Sequence, residues 1–213
     1  HRAYPPRHLC PPAPARLPLE VCEKPVLAVV SADLRQHPVG RFWMPLVPEL
    51  ARRFRLVHVF LNGTDGDSLT AEMRAQSFAW HQLSAAEQPG LVQCLQEVRP
   101  QLALDLGGHT ADNQHAWLHY RLAPVQASYL GFYGPTYARC CDWWIVDQHL
   151  AGRIGKAYPG AERQWVCPFP SLCYSVAAHG LPNPAQLPLT GSSAGVIGSF
   201  NHTRKLTRSS LQR

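Results

Sequence analysis

Short runs of aliphatic and β-branched residues alternate along this chain with stretches of helical spacing, and that alternation restricts the fold more than any other feature. Pro25 to Ser31 (PVLAVVS), Leu56 to Leu61, Phe78 to Leu83, Leu102 to Leu106 (LALDL), Val125 to Leu130 and Trp143 to Val146 read as strands. Phe42, Trp43, Leu46, Val47, Leu50 and Phe54 recur at helical spacing between the first two, with Pro45 and Pro48 kinking or delaying that helix. Further helices are expected around Leu69 to Gln76, from Ala85 to Val98 and from Asn113 to Tyr120. This order predicts an α/β fold with a mostly parallel sheet covered on both sides. Ligands of such sheets gather beyond the carboxyl ends of the strands. The loops holding Asp33 with His37, Gly107 to Thr110, and Gly131 to Thr136 are therefore where a site is expected.

With 213 residues, 46% hydrophobic and 16% charged, the chain has enough apolar material for one such domain and a fragment of a second. Its 20 prolines concentrate at Pro5 to Pro18 and Pro182 to Pro188, which read as extended connectors. Ala194 to Phe200 (AGVIGSF) reads as one more strand, with Asn201 to Lys205 at its carboxyl end. The expected organisation is a Pro-rich linker over 1–20, a main domain over 21–190 and the start of another over 191–213. No apolar run of about 18 residues and no signal-peptide order are present, which reads as a soluble, cytoplasmic protein without membrane contact. Seven cysteines without a C-x-x-C pair suggest reduced thiols rather than a disulfide framework or zinc site. The net charge of +6 is carried by scattered arginines not interleaved with aromatics, which argues against nucleic acid as a partner.

Asp33 and His37, four apart in one strand-to-helix loop, suit a carboxylate–imidazole pair for proton handling; spacing alone favours a helix entry in which Asp33 accepts backbone N–H groups and His37 is merely exposed before Pro38. Gly107-Gly108 permits close approach of backbone to a ligand, with a following helix aimed at the same place, or forms a simple turn. Asp65-Gly66-Asp67 matches a D-x-D pattern that can hold a metal on a nucleotide diphosphate, but its Asn-Gly-Thr-Asp-Gly-Asp-Ser setting is turn chemistry, the preferred reading. His115 and His119 have an i, i+4 spacing without a third ligand and read as ordinary partly buried or surface histidines. Lys205, one of only three lysines with Lys24 and Lys156, is either an ammonium that balances a leaving diphosphate or a solvated side chain.

Taken together, Ser31-Ala32-Asp33-Leu34-Arg35-Gln36-His37-Pro38, Arg99-Pro100, Asp105-Leu106-Gly107-Gly108-His109-Thr110-Ala111 and Asp142-Trp143 with Asp147 form an ordered series. Arg121 to Gly134 (RLAPVQASYLGFYG) is close to R-x-A-P-[IV]-Q-x-x-[WY]-L-G-Y-P-G, departing from it at Phe132 and Tyr133, and Phe200 to Leu206 matches F-N-x-x-x-K-[IL]. From Pro25 to Leu206 the series resembles the catalytic region of the O-GlcNAc transferase and SPINDLY-like family of glycosyltransferases (GT41-type). Ser171 to Tyr174 resembles its bacterial branch.

The resemblance implies a GT-B architecture, with this chain supplying the Rossmann-like amino-terminal domain and the first strand of the second. It implies inverting, metal-independent transfer of N-acetylglucosamine from UDP-GlcNAc to Ser or Thr hydroxyls of a protein acceptor, without a cofactor, in a parent that carries tetratricopeptide repeats upstream. His37 matches a proposed base, and Asp33 an aspartate with a disputed proton-handling role. Leu130 and Gly131 match backbone that approaches the donor sugar, and Lys205 the lysine that supports departure of UDP. His202 stands where Gln or Asn is common near the phosphates or sugar. Tyr133 and Pro135-Thr136-Tyr137 depart from the family loop and put the shape of the sugar pocket in question, and Arg204 adds a charge. Because the family's nucleotide contacts lie mostly in the second domain, the isolated chain is expected to be inactive. Transfer of fucose from GDP-fucose and a non-catalytic protein-binding role on the same fold are the alternatives.

Overall fold

The computed structural model describes residues 17–19, 22–62, 66–84, 88–110, 114–154 and 161–175. They belong to one compact unit that ends at Ser175; the strand expected at Ala194 to Phe200, together with Lys205 and His202, lies outside the described residues. Strands β1 (Val26–Ser31), β2 (Arg55–Phe60), β3 (Ala79–Gln82), β4 (Leu102–Asp105), β5 (Val125–Ser128), β6 (Trp143–Asp147) and β7 (Arg163–Cys167) form a seven-stranded sheet of order β3-β2-β1-β4-β5-β6-β7. Every neighbouring pair in it is parallel, so this is a Rossmann-like sheet.

The period of two along β1 splits its side chains between two cores. Leu27 and Val29 pack with Trp43, Val47, Leu56, Phe60, Met73 and Leu104 on one face. Ala28 and Val30 pack with Val59, Leu91, Leu95, Trp117 and Leu118 on the other. Around them run α1 (Pro38–Trp43), a 3₁₀ turn (Met44–Leu46), α2 (Val47–Arg53), α3 (Ser68–Ala75), α4 (Gln88–Val98) and α5 (Gln148–Ile154). The helix expected over Gly40 to Phe54 thus divides: Pro45, which has no N–H to donate, sits in the tightened 3₁₀ turn, and Pro48 starts the next helix.

The helix expected from Asn113 to Tyr120 is instead a 3₁₀ helix, His115–His119. At three residues per turn, positions four apart do not share a face, so the His115 and His119 spacing loses its metal-ligand meaning. His115 is buried with its ring centroid 4.5 Å from that of His109, while His119 Nδ1 accepts from Arg139 N at 3.3 Å. Burial lowers the pKa of His115 to about 4, and nearby His109 and His119 add to the effect. Asp67 is the N-cap of α3, accepting from Leu69 N and Thr70 N at 3.0 and 3.1 Å, and its other oxygen accepts from Gln36 N at 2.6 Å. It therefore ties α3 to the loop after β1, which accounts for its carboxylate structurally. Of the described cysteines, Cys22, Cys94, Cys140, Cys141, Cys167 and Cys173 are all free thiols.

Candidate active site at the strand ends

Chain direction reverses its order in the sheet between β1 and β4, the topological switch point at which α/β sheets bind ligands. The loop after β1 brings Asp33 and His37 there. Asp33 is nearly buried, and its backbone N–H donates to Ser31 Oγ at 3.0 Å. His37 is the N-cap of α1: its Nδ1 accepts from Val39 N at 3.3 Å and lies 3.5 Å from Asp33 Oδ2. The loop is a helix entry, but its cap is His37 rather than Asp33, whose side chain instead faces His37 and Arg35. Arg35 places its guanidinium 3.5 Å from the other Asp33 oxygen.

Two strand spacings away, about 10 Å along the sheet, β5 ends in the second part of the site. Val30 is level with Asp105, and Asp105 with Ser128, so the loops after β1, β4 and β5 leave the sheet at one height. Leu130 is buried and has φ +75°, while Gly131 N donates to Tyr129 O at 2.9 Å. This is a γ-turn of the strained, positive-φ kind, uncommon for a residue with a side chain. Gly131 is fixed by close approach: a Cβ there would lie 1.8 Å from the Leu106 carbonyl oxygen. Phe132 and Tyr133 follow and are 38% and 50% exposed. Partial burial, with Asp147 nearby, raises the pKa of the Tyr133 hydroxyl.

Between these two parts lies the β4 loop. Gly108 has φ +56°, which glycine adopts without strain, and its N–H donates to Asp105 Oδ2 at 2.6 Å. Among the described residues, the helix that follows this loop is the 3₁₀ helix His115–His119 rather than an α-helix. Asp105 was not among the residues singled out from sequence. The signal for it was a carboxylate closing an apolar strand immediately before two glycines.

The long Arg121 to Gly134 motif has a structural half. Arg121 makes two hydrogen bonds to Asp142, at 2.5 and 3.1 Å, with both side chains buried. Gln126 accepts from Leu122 N and Ala123 N and donates to Tyr120 O and Cys140 O. These residues anchor the start of β5, whose far end presents Leu130 and Gly131. Asp147 caps α5 through His149 N and Leu150 N and accepts twice from Ser171, which lowers its pKa to about 2.

Similarity to known proteins points one way. The chain is 26% identical over 204 residues to the rice protein named "Probable UDP-N-acetylglucosamine--peptide N-acetylglucosaminyltransferase SPINDLY", covering 91% of this chain and 21% of the rice protein. The Arabidopsis protein of that name is 25% identical over 196 residues, with 89% and 21% covered. Arabidopsis SEC, also named as such a transferase, is 28% identical over 128 residues, with 59% and 13% covered. The solved structure of a lysine-to-methionine mutant of Thermobaculum terrenum O-GlcNAc transferase superposes with a TM-score of 0.66 at 26% identity, over 76% of this chain and 31% of that one. No family model matches the chain. The chain spans about a fifth of the length of the full SPINDLY relatives.

Proposed function

Since the chain belongs to the O-GlcNAc transferase and SPINDLY-like family of glycosyltransferases, we propose that it is the amino-terminal part of the catalytic region of an enzyme that moves N-acetylglucosamine from UDP-GlcNAc to Ser or Thr hydroxyls of proteins. The observation that carries this reading is the convergence of the β1 and β5 loops. A carboxylate–imidazole pair follows one strand and a γ-turn follows the other, at the same end of the sheet and on strands two spacings, about 10 Å, apart.

In this reading His37 takes the acceptor hydroxyl proton at Nε2. For that, Nδ1 must carry the ring proton and donate it to Asp33; when Nδ1 accepts from Val39 N instead, the proton sits on Nε2. Asp33 therefore selects the basic tautomer, and a small ring rotation exchanges one partner for the other. Leu130 and Gly131 offer backbone to the donor sugar, with Tyr133 at its edge. By the family resemblance, Lys205 would contact the diphosphate and assist departure of UDP in a single inverting displacement without a metal, and His202 would serve near the phosphates or sugar.

Turnover of a protein acceptor by the parent protein tests this reading, with UDP-GlcNAc and GDP-fucose supplied separately. Transfer of N-acetylglucosamine is the expected result. Transfer of fucose alone would move the assignment to another donor, and no transfer from either would overturn the enzymatic reading.

A further inference from the structure

We infer that Asp105 is a positioning residue for the donor side of this site: through Gly108 and Phe132 it fixes the backbone at Leu130 and Gly131. The inference rests on the reading of those two residues as the donor-sugar backbone. Asp105 is 3% exposed at the end of β4. Its side chain accepts from Gly108 N at 2.6 Å with Gly107 N–H also close, and its carbonyl accepts from Tyr129 N at 2.9 Å. The Trp117 indole N–H lies near the same carboxyl without closing a well-formed hydrogen bond.

The β4 loop then meshes with the β5 loop at three points. A Cβ on Gly108 would stand 2.6 Å from Phe132 Cβ, and one on Gly131 would stand 1.8 Å from the Leu106 carbonyl oxygen. The His109 ring meets the Phe132 ring edge to face at 5.1 Å between centroids. With no slack at those contacts, a shift of Gly108 is transmitted to Phe132 and so to the γ-turn before it.

Fold stability alone does not call for a carboxylate at this position. Burial pushes its pKa up to about 6 despite the Gly108, Gly107 and Trp117 contacts, so near neutral pH the ionised form is held at a cost to the fold. What the ionised group provides is an acceptor for two adjacent backbone N–H groups. Asparagine, of the same shape, has one acceptor oxygen and would turn an N–H₂ toward the second donor.

Asp105→Asn in the parent enzyme, assayed with UDP-GlcNAc, is expected to raise the donor KM about tenfold, the effect of one lost charge-assisted hydrogen bond. We expect kcat to stay within about threefold of wild type and the melting temperature at pH 7.5 to be no lower. Phe132→Ala should raise the same KM, and the double variant should be no worse than the poorer single one. Amide hydrogen exchange on the present chain should quicken at residues 107–110 and 129–133 in Asp105→Asn and remain unchanged in β1 and β2. An unchanged donor KM with unchanged exchange, additive effects of the two substitutions, or a KM rise accompanied by lower melting and faster exchange throughout the sheet would each overturn the inference. If wild-type parent shows no turnover, the functional reading fails while the exchange measurement still decides the role of Asp105.

Discussion

His37 Nδ1 faces two partners that ask opposite things of it: Val39 N–H needs a bare nitrogen, and the Asp33 carboxylate needs a protonated one. Replacing His37 by Ala in the parent is expected to lower kcat by about 10²- to 10⁴-fold, the span of general-base contributions, with little change in donor KM. Asp33→Asn, which removes the tautomer selector and keeps its shape, should lower kcat in the same direction; steady-state kinetics of both variants check this, and wild-type kcat in either would remove the proton-transfer role. Two buried groups set opposing pH dependences of stability. Asp105 titrates near 6 in the fold against 3.8 when unperturbed, so its ionisation removes about 3 kcal/mol as pH rises through that interval. His58, wholly buried between Trp43 Nε1 and Ser77 Oγ, is driven down to about 3. Its unfolded form binds a proton below 6.5 that the fold refuses, so stability falls as pH drops from 6.5 toward 3. In thermal melts the difference between Asp105→Asn and wild type should accordingly grow in favour of the variant from pH 4 to pH 6 and level off above; a difference independent of pH would mean that Asp105 does not ionise there. The spacing of Asp33 and His37 already announces their proximity, but nothing in sequence tells which proton His37 carries or that Asp105 is sealed under a loop.

At the level of elements, the segment richest in recognisable sequence turns out to be divided in its work. Arg121, Gln126 and Asp142 lock the entry to β5, and Leu130 and Gly131 do their part at its exit. Gln126→Leu would leave two backbone N–H and two C=O groups buried without their partner, at about 1–3 kcal/mol each for groups that water cannot reach. Loss of about 3 kcal/mol or more in denaturant unfolding is expected, and a loss below about 1 kcal/mol would show that the network relaxes freely. Strands β1, β2, β4 and β6 are legible as mainly apolar runs, the pattern of strands buried on both faces, while β5 carries Gln126 and Ser128 buried among its apolar residues. β7 and α5 were not anticipated, for identifiable reasons. β7 (Arg163–Cys167) is an edge strand with Trp165 and Val166 exposed, so neither alternation nor an apolar run marks it. α5 is seven residues long, too short for a helical period to stand out. The 3₁₀ helix at His115–His119 shows the converse, a helical pattern that the chain realises with a tighter turn.

For the molecule as a whole, the chain covers about a fifth of the length of the SPINDLY proteins it matches. We expect the isolated chain to give no detectable transfer under conditions in which the parent turns over, because the family resemblance puts most nucleotide contacts in the second domain, of which Lys205 and His202 would be only a part; side-by-side assays with UDP-GlcNAc and a protein acceptor check it, and robust turnover by the chain alone would refute that division of labour. The parallel α/β class and the loops to watch followed from sequence, since hydrophobic period and turn chemistry are local properties that a linear reading captures. The order β3-β2-β1-β4-β5-β6-β7 did not, because pairing is chosen by contacts between segments far apart in the chain. That order alone puts β1, β4 and β5 side by side, and so brings the loops that carry an imidazole at position 37, a buried carboxylate at 105 and a γ-turn at 130 to one end of the sheet, where the proposed site lies.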